Sequence, residues 1–175
     1  MWRYTVAMPC FGFLQPHPDF AIHVAVSEQG VIRIGFGDDM PDPGWTRDDS
    51  HPWIREARRQ LEKYFAGRLR QFDLPLDLAG TAFQRRVWNG LLAIPYGETR
   101  SYSQLAEKIG APRAARAVGS ANHANPVAIV VPCHRVIAAD GSLGGYGGGL
   151  DRKRFLLELE GGMRHQKPTD RTRPL

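Results

Sequence analysis

Cysteine is scarce in this 175-residue chain, which carries only Cys10 and Cys133. Two thiols exclude the disulfide framework of small secreted domains, and free thiols in a reducing compartment fit them better than one bridge. Long apolar runs are missing as well. No stretch of 18 apolar residues occurs, which excludes a transmembrane helix. Polar residues and Pro9 interrupt the N-terminus, so it does not read as a signal peptide. The expectation is a cytoplasmic protein without a membrane partner.

Charge of one sign is only in modest excess: 23 Lys and Arg stand against 18 Asp and Glu, a formal +5. Hydrophobic residues at 42% and charged residues at 23% exclude disordered and fibrous classes. The excess is unevenly placed. Residues 1–77 hold nine basic and eleven acidic groups, 78–165 hold eleven and six, and 166–175 hold three and one. The second half therefore carries the positive charge, either as a face for a polyanion or as plain solvated surface.

The first half reads as mixed α/β. Ile22, Val24 and Val26 alternate with Ala21, His23 and Ala25, and Ile32, Ile34 and Phe36 alternate beyond a Ser27–Gly30 turn. That pattern predicts a hairpin with one buried face. Residues 38–52, rich in Asp, Pro and Gly, read as a loop. Ile54, Ala57, Leu61, Tyr64 and Phe65 then fall on one helical stripe, with Gly67 as its stop. Pro75, Asp77 and Gly80 mark a linker over 71–80, placing a domain boundary near 77.

Two capping boxes follow. Thr81 with Gln84 opens a helix carrying Phe83, Val87, Trp88 and Leu91, and Ser101 with Gln104 opens a shorter one carrying Leu105 and Ile109. Gly110 closes the second, and Pro112 sits near the start of another helix reaching about Ala121. Helix, glycine turn and helix make a helix-turn-helix. The last of these helices is built from Ala114, Ala115, Ala117, Gly119, Ser120 and Ala121, with Arg113 and Arg116 as its charges. Such small residues let a backbone approach closely, whether to a neighbouring helix or to the floor of a DNA groove. Val127–Val131, apolar and β-branched, reads as a buried strand delivering the chain to Cys133. Glycine dominates 138–149, Phe155, Leu156 and Leu159 mark a final helix stopped by Gly161 and Gly162, and 166–175 reads as a frayed tail.

Cys133, followed directly by His134, is the place where the sequence offers a nucleophile beside a base. An ordinary thiol of pKa ~8.5 is only a few per cent ionised near neutrality, so reactivity requires a base or a lowered pKa. His134 is the candidate. Adjacent residues on an extended chain point oppositely, so contact would need a turn or a bridging water. Glu160 is the candidate to orient the histidine, because a carboxylate in the last turn of a helix opposes the macrodipole at about 0.3–1 kcal/mol. From the residues alone, Cys133 is equally an ordinary buried thiol and Glu160 a solvated glutamate. Cys10 reads as a packing residue.

Pro132-Cys133-His134-Arg135-Val136 resembles the active-site signature of the O6-alkylguanine-DNA alkyltransferases. The similarity runs over about 72–161. It takes in Thr81–Trp88, Ile94–Glu98, Ala115–Gly119, Asn125-Pro126-Val127, Gly145–Gly149 and Leu157–Gly161. The resemblance implies a small ribonuclease-H-like α/β N-terminal domain, 1–77, followed by a mainly helical, winged-helix-like catalytic domain with a helix-turn-helix, 78–165. Cys133 would take an alkyl group irreversibly from O6-alkylguanine in double-stranded DNA, with O4-alkylthymine as a second candidate substrate. His134 would deprotonate it through a water, oriented by Glu160. Asn125 would brace the active-site turn, and Tyr102 would donate toward the departing guanine. Arg116 would fill the gap left by the flipped nucleotide, with Arg113, Arg135, Ser101 and Ala117 contacting DNA. Tyr146 would wall the base pocket, and backbone groups at Val136 and Gly147 would read the base edge.

A single turnover per molecule is expected, since a thioether is a poor leaving group and nothing in the chain would reverse it. No cofactor is expected, and the molecule is read as a monomer. Some relatives hold a structural zinc with two cysteines and two histidines. Here Cys10 with His17, His23 and His51 falls short of such a set, so no metal is predicted. Three other classes compete: a non-catalytic protein that binds alkylated DNA, a regulatory helix-turn-helix protein, and a cysteine hydrolase.

Overall fold

The computed structural model describes residues 8–37, 42 and 44–161. Three N-terminal strands, β1 (Cys10–His17), β2 (Phe20–Val26) and β3 (Val31–Phe36), form an antiparallel meander. A two-residue strand, β4 (Thr46–Arg47), pairs in parallel with β1, giving the order β3-β2-β1-β4. The predicted hairpin is β2–β3, closed by Ser27 N–H donating to Gly30 O at 2.9 Å. Its second face is not open, as expected, but covered: His23 and Ala25 are buried along with Ile22 and Val24. β1 carries no clean alternation because Gly12 and Pro16 interrupt it. Pairing with β2 makes it a strand, with a register shift between Leu14 and His17 where the proline lies.

Helix α1 (Pro52–Phe65) packs on β1 and β2, and its predicted stripe of Ile54, Ala57, Leu61, Tyr64 and Phe65 is buried. Proline at its first turn loses no hydrogen bond there, which is why the helix begins two residues before Ile54. The linker beyond α1 holds no helix or strand but does not float. Val31 N–H donates to Pro75 O at 2.8 Å and Asp77 N–H to Val31 O at 3.0 Å, capping the open edge of β3.

The C-terminal half is helical: α2 (Ala82–Leu92), α3 (Tyr102–Lys108), α4 (Ala115–His123) and α5 (Leu150–Leu159), with short strands β5 (Arg100–Ser101) and β6 (Val136–Ile137) paired in parallel. Both capping boxes form, with Thr81 and Ser101 each accepting from the N3 amide and each N3 glutamine reaching back. Gly110, at φ +73°, makes the turn of the helix-turn-helix. Pro112 and Arg113 lie in the turn before α4, which starts only at Ala115. Trp88 Nε1 donates to Ala121 O at 2.9 Å and fixes α4 on α2. One hydrophobic core runs from the sheet through α1 into the helical domain.

One element is overturned. Val127–Val131 forms no strand; only Val127 bridges Ile34 and the rest coils into turns. A short apolar run shows burial, and burial alone does not choose between strand and turn. Residues 1–7, Gly162 and the expected tail 166–175 lie outside the described residues.

Candidate active site

The segment leading to Cys133 is held by tertiary bonds and not by regular structure. Asn125 Nδ2 donates to Val131 O at 2.8 Å while its Oδ1 accepts from Val127 N–H at 3.0 Å, stapling both ends of the loop. β3 fastens the loop's outside, with Ile34 N–H donating to Pro126 O and Ala128 N–H donating to Ile34 O, each at 2.9 Å. Inside, Val130 N–H donates to Ala128 O at 2.9 Å around Ile129, whose φ is +71°. That is a γ-turn of the strained hand, at a β-branched residue. Such a conformation costs about 1–3 kcal/mol, and full burial of Ile129 helps hold it. A second, relaxed γ-turn around Pro132 (φ −81°, ψ 65°) closes with Cys133 N–H donating to Val131 O at 2.8 Å. Cys133 therefore opens a 3-10 turn, Cys133–Arg135, where extended chain was expected. Successive side chains in such a turn diverge by about 120°. Cys133 faces a cavity, and His134 points into the protein against Glu160.

Glu160 ends α5 with its carboxylate fully enclosed by donors. Oε1 accepts from His134 Nε2 at 2.9 Å, Tyr64 Oη at 2.6 Å and an Arg135 terminal nitrogen at 2.9 Å. Oε2 accepts from Arg135 Nε at 2.8 Å and from Gly97 N–H at 3.3 Å. Gly97 has φ +79°, and a Cβ there would stand 2.8 Å from Glu160 O, so only glycine fits. Bonding of Nε2 to a carboxylate fixes that nitrogen as the donor. His134 Nδ1 is then the acceptor, and it is buried with no protein partner. An enclosed, unsatisfied imidazole nitrogen on the residue that follows the thiol is a base with room for a proton.

Electrostatics set the resting state. Burial pushes the Cys133 thiol up, opposed by the Asn125 hydrogen bond and the Lys153 charge. Burial pushes His134 down against the pull of Glu160. Burial would raise Glu160, but hydrogen bonds from His134 and Arg135 win and hold it well below the usual carboxylate range. Both shifts favour a neutral thiol and a neutral imidazole, the latter bonded to a Glu160 that is ion-paired with Arg135.

The cavity has a volume of about 500 Å³. Cys133, Asn125, Tyr102, Tyr146 and Gly147 all line it. Burial, then the nearby Cys133, raises the Tyr102 phenol, which keeps its proton available for donation. Tyr146 Oη is buried with no protein partner. Gly119 and His123 of α4 line the same space, while Arg113, Arg116 and Ala117 are exposed. The N-terminal domain closes one side through Arg33 and Phe36.

Two expectations need correction. Arg135 is no DNA contact: it is 6% exposed and spends its guanidinium on Glu160 and on Ile94 O at 2.6 Å. Val136 is buried outside the cavity lining, its N–H donating to Cys133 O and its carbonyl accepting from Lys153 Nζ at 2.6 Å. Ser101 Oγ accepts from Gln104 N–H in capping α3 and keeps its own O–H for donation. Two residues were missed. Lys153 is fully buried, bridges Val136 O and Gly145 O, and is pushed down to about 8 by burial. A signal existed, since Lys153, Leu156, Leu157 and Glu160 share one helical face with a charge at each end. Asn122, on α4, donates to Cys133 O at 3.4 Å; among small neighbours it gave no signal.

A Cys–His–Glu thiol site set beneath a helix-turn-helix, and walled on one side by a small α/β domain, defines a thiol-dependent nucleic-acid-handling protein. The comparisons narrow the class. The family model "6-O-methylguanine DNA methyltransferase, ribonuclease-like domain" matches residues 16–78, and "6-O-methylguanine DNA methyltransferase, DNA binding domain" matches 82–162. A methylated-DNA–protein-cysteine methyltransferase of Mycobacterium leprae is 60% identical over 129 residues, 74% of this chain and 75% of the relative. One from Methanosarcina acetivorans is 52% identical over 145 residues, 80% of this chain and 91% of the relative. The crystal structure of Mycobacterium tuberculosis OGT in complex with DNA superposes with a TM-score of 0.80 at 50% identity, covering 87% of this chain and 92% of that one. The chain belongs to the 6-O-methylguanine DNA methyltransferase family.

Proposed function

We propose that this protein repairs O6-alkylguanine in duplex DNA by accepting the alkyl group on Cys133. The carrying observation is the cavity-facing thiol of Cys133, followed directly in the chain by a histidine whose buried Nδ1 has no protein partner. The target atom lies inside the base stack, so the nucleotide must flip out at a cost of a few kcal/mol. Exposed Arg116 on the small-residue helix α4 fills the vacated space, with Arg113 and Ala117 beside it. In the cavity, the Cys133 proton passes through a water to His134 Nδ1, and the imidazolium is stabilised by Glu160. Sγ attacks the alkyl carbon in line, the C–O6 bond breaks, and its electron pair stays on the base. Tyr102 donates a proton toward the leaving guanine. Asn125 braces the turn, Tyr146 walls the base, and the Gly147 backbone reads its edge.

The thioether product has no route to hydrolysis, so each molecule acts once, as a monomer in the cytoplasm. Residues 78–165 carry the reaction and 1–77 support them. A cysteine at position 133 disfavours a purely binding or regulatory role. The test is incubation with a duplex bearing one O6-methylguanine, followed by intact-protein mass measurement. One added methyl group per molecule, absent in Cys133→Ala, is expected; no adduct, or continued turnover, would sink the proposal.

A further inference from the structure

Tyr64 belongs to α1 of the N-terminal domain, yet its hydroxyl ends on Glu160, 96 residues away in the helical domain. Both side chains are fully buried, and the 2.6 Å separation is that of a charge-assisted bond from a hydroxyl to a carboxylate. Taking the alkyl transfer proposed above as given, we infer that Tyr64 is a positioning residue for it. The N-terminal domain thereby tunes the basicity of His134 through Glu160.

The electrostatic logic follows from how Oε1 is shared. Three donors compete for that oxygen, and only His134 changes its charge during the reaction. A donor that occupies Oε1 leaves less negative potential for the imidazolium, so Tyr64 restrains the histidine from protonating early. Early protonation is harmful, because an imidazolium cannot take the thiol proton. The phenol itself stays neutral: burial and the Glu160 charge push it well above its ordinary value. The other groups around the pair are fixed in charge or aimed elsewhere. Arg135 holds both Glu160 oxygens, Lys153 acts on His134 at a distance from α5, and the Cys133 thiol is neutral at rest. Tyr96, under Arg70, gives its hydroxyl to Leu159 O at 3.1 Å and not to the carboxylate.

The experiment measures single-turnover methyl transfer from a saturating O6-methylguanine duplex across pH, with wild type, Tyr64→Phe and Tyr96→Phe. Loss of the Tyr64 hydroxyl should move the acid limb of the rate profile upward by about half a pH unit. Tyr96→Phe should leave that limb in place. A 3-fluorotyrosine introduced at position 64 keeps the shape and strengthens the donor, and should move the limb downward. It also retains the test if Tyr64→Phe fails to fold. Wild-type limbs in the folded position-64 variants would overturn the inference while leaving alkyl transfer intact. Absence of any methyl adduct in wild type would instead overturn the repair reading.

Discussion

The scaffold helices and the active-site loop of this protein are stabilised in opposite ways. α2 and α3 begin with complete capping boxes, and α3 ends at a glycine turn, so each contains the instructions for its own ends. The loop from Asn125 to Pro132 has no regular structure and includes a β-branched residue at φ +71°. It persists because Asn125, β3 and the core over-determine it. Locally consistent segments tolerate the loss of one interaction, whereas a strained segment held from outside does not. The reactive thiol sits at the end of the second kind, where the thiol, its base and the base's partner are placed by contacts from several separate segments.

The largest way to break that arrangement is at Glu160. Glu160→Gln removes the buried charge opposite Arg135 and should cost about 3–5 kcal/mol of stability, since a lone guanidinium stays enclosed. Methyl transfer should fall with it. The pH dependence has a definite sign. A carboxyl group held below its unfolded value of 4.5 stabilises above that pH, and its contribution drains away as pH falls below it. Thermal melting of wild type should therefore drop more steeply below about pH 4.5 than that of Glu160→Gln. Parallel curves would mean that the Glu160–Arg135 pair does not govern acid stability.

Asn125→Ala is the next largest. It leaves Val127 N–H unmet, at about 1–3 kcal/mol, and takes one of two donors from Val131 O, which keeps Cys133 N–H. The loss should show in the melting temperature and, more sharply, in the rate. A nucleophile displaced by about 1 Å can lose a factor of about 100. A methyl-transfer rate within a few-fold of wild type would mean that β3 and the core position Cys133 without the staple.

This contrast explains what could be read from the residues. Both capping boxes, the α1 stripe, the β2–β3 hairpin and the glycine turn were legible because each is a local pattern with one physical meaning. Cys133 and His134 were legible as a nucleophile followed by a base; Glu160 was flagged by its locally unfavourable place at a helix end, but the family resemblance, and not the residues alone, gave it to the histidine. β1 was not, since Gly12 and Pro16 hide its alternation and its identity comes from pairing with β2. The Val127–Val131 turns were hidden for the converse reason: the apolar run records burial faithfully, and the tertiary bonds that bend it leave no mark on composition. Arg135 misled through its charge. A lone arginine in a basic half looks like a phosphate contact until its distant partner, Glu160, is placed beside it. Tyr64 was read as core, correctly, but nothing about a helical stripe says where a hydroxyl will end.

The smallest predicted effect sharpens the scaffold side of the comparison. Thr81→Ala and Ser101→Ala each remove a side-chain cap from an otherwise intact helix, and each should cost about 1 kcal/mol. Thr81 stands at the exposed start of α2, so at saturating duplex its alanine variant should transfer methyl at the wild-type rate. Ser101 is different in one respect. It precedes Tyr102, whose phenol lines the cavity, and its cap sets the first turn on which that tyrosine stands. If α3 is as self-contained as its capping box implies, Gln104 and the packing of Leu105 and Ala106 will hold that turn, and the two variants will differ little in rate. A Ser101→Ala rate more than about ten-fold below Thr81→Ala, at equal loss of stability, would place the start of α3 with the loop, as structure held for the reaction and not by its own sequence.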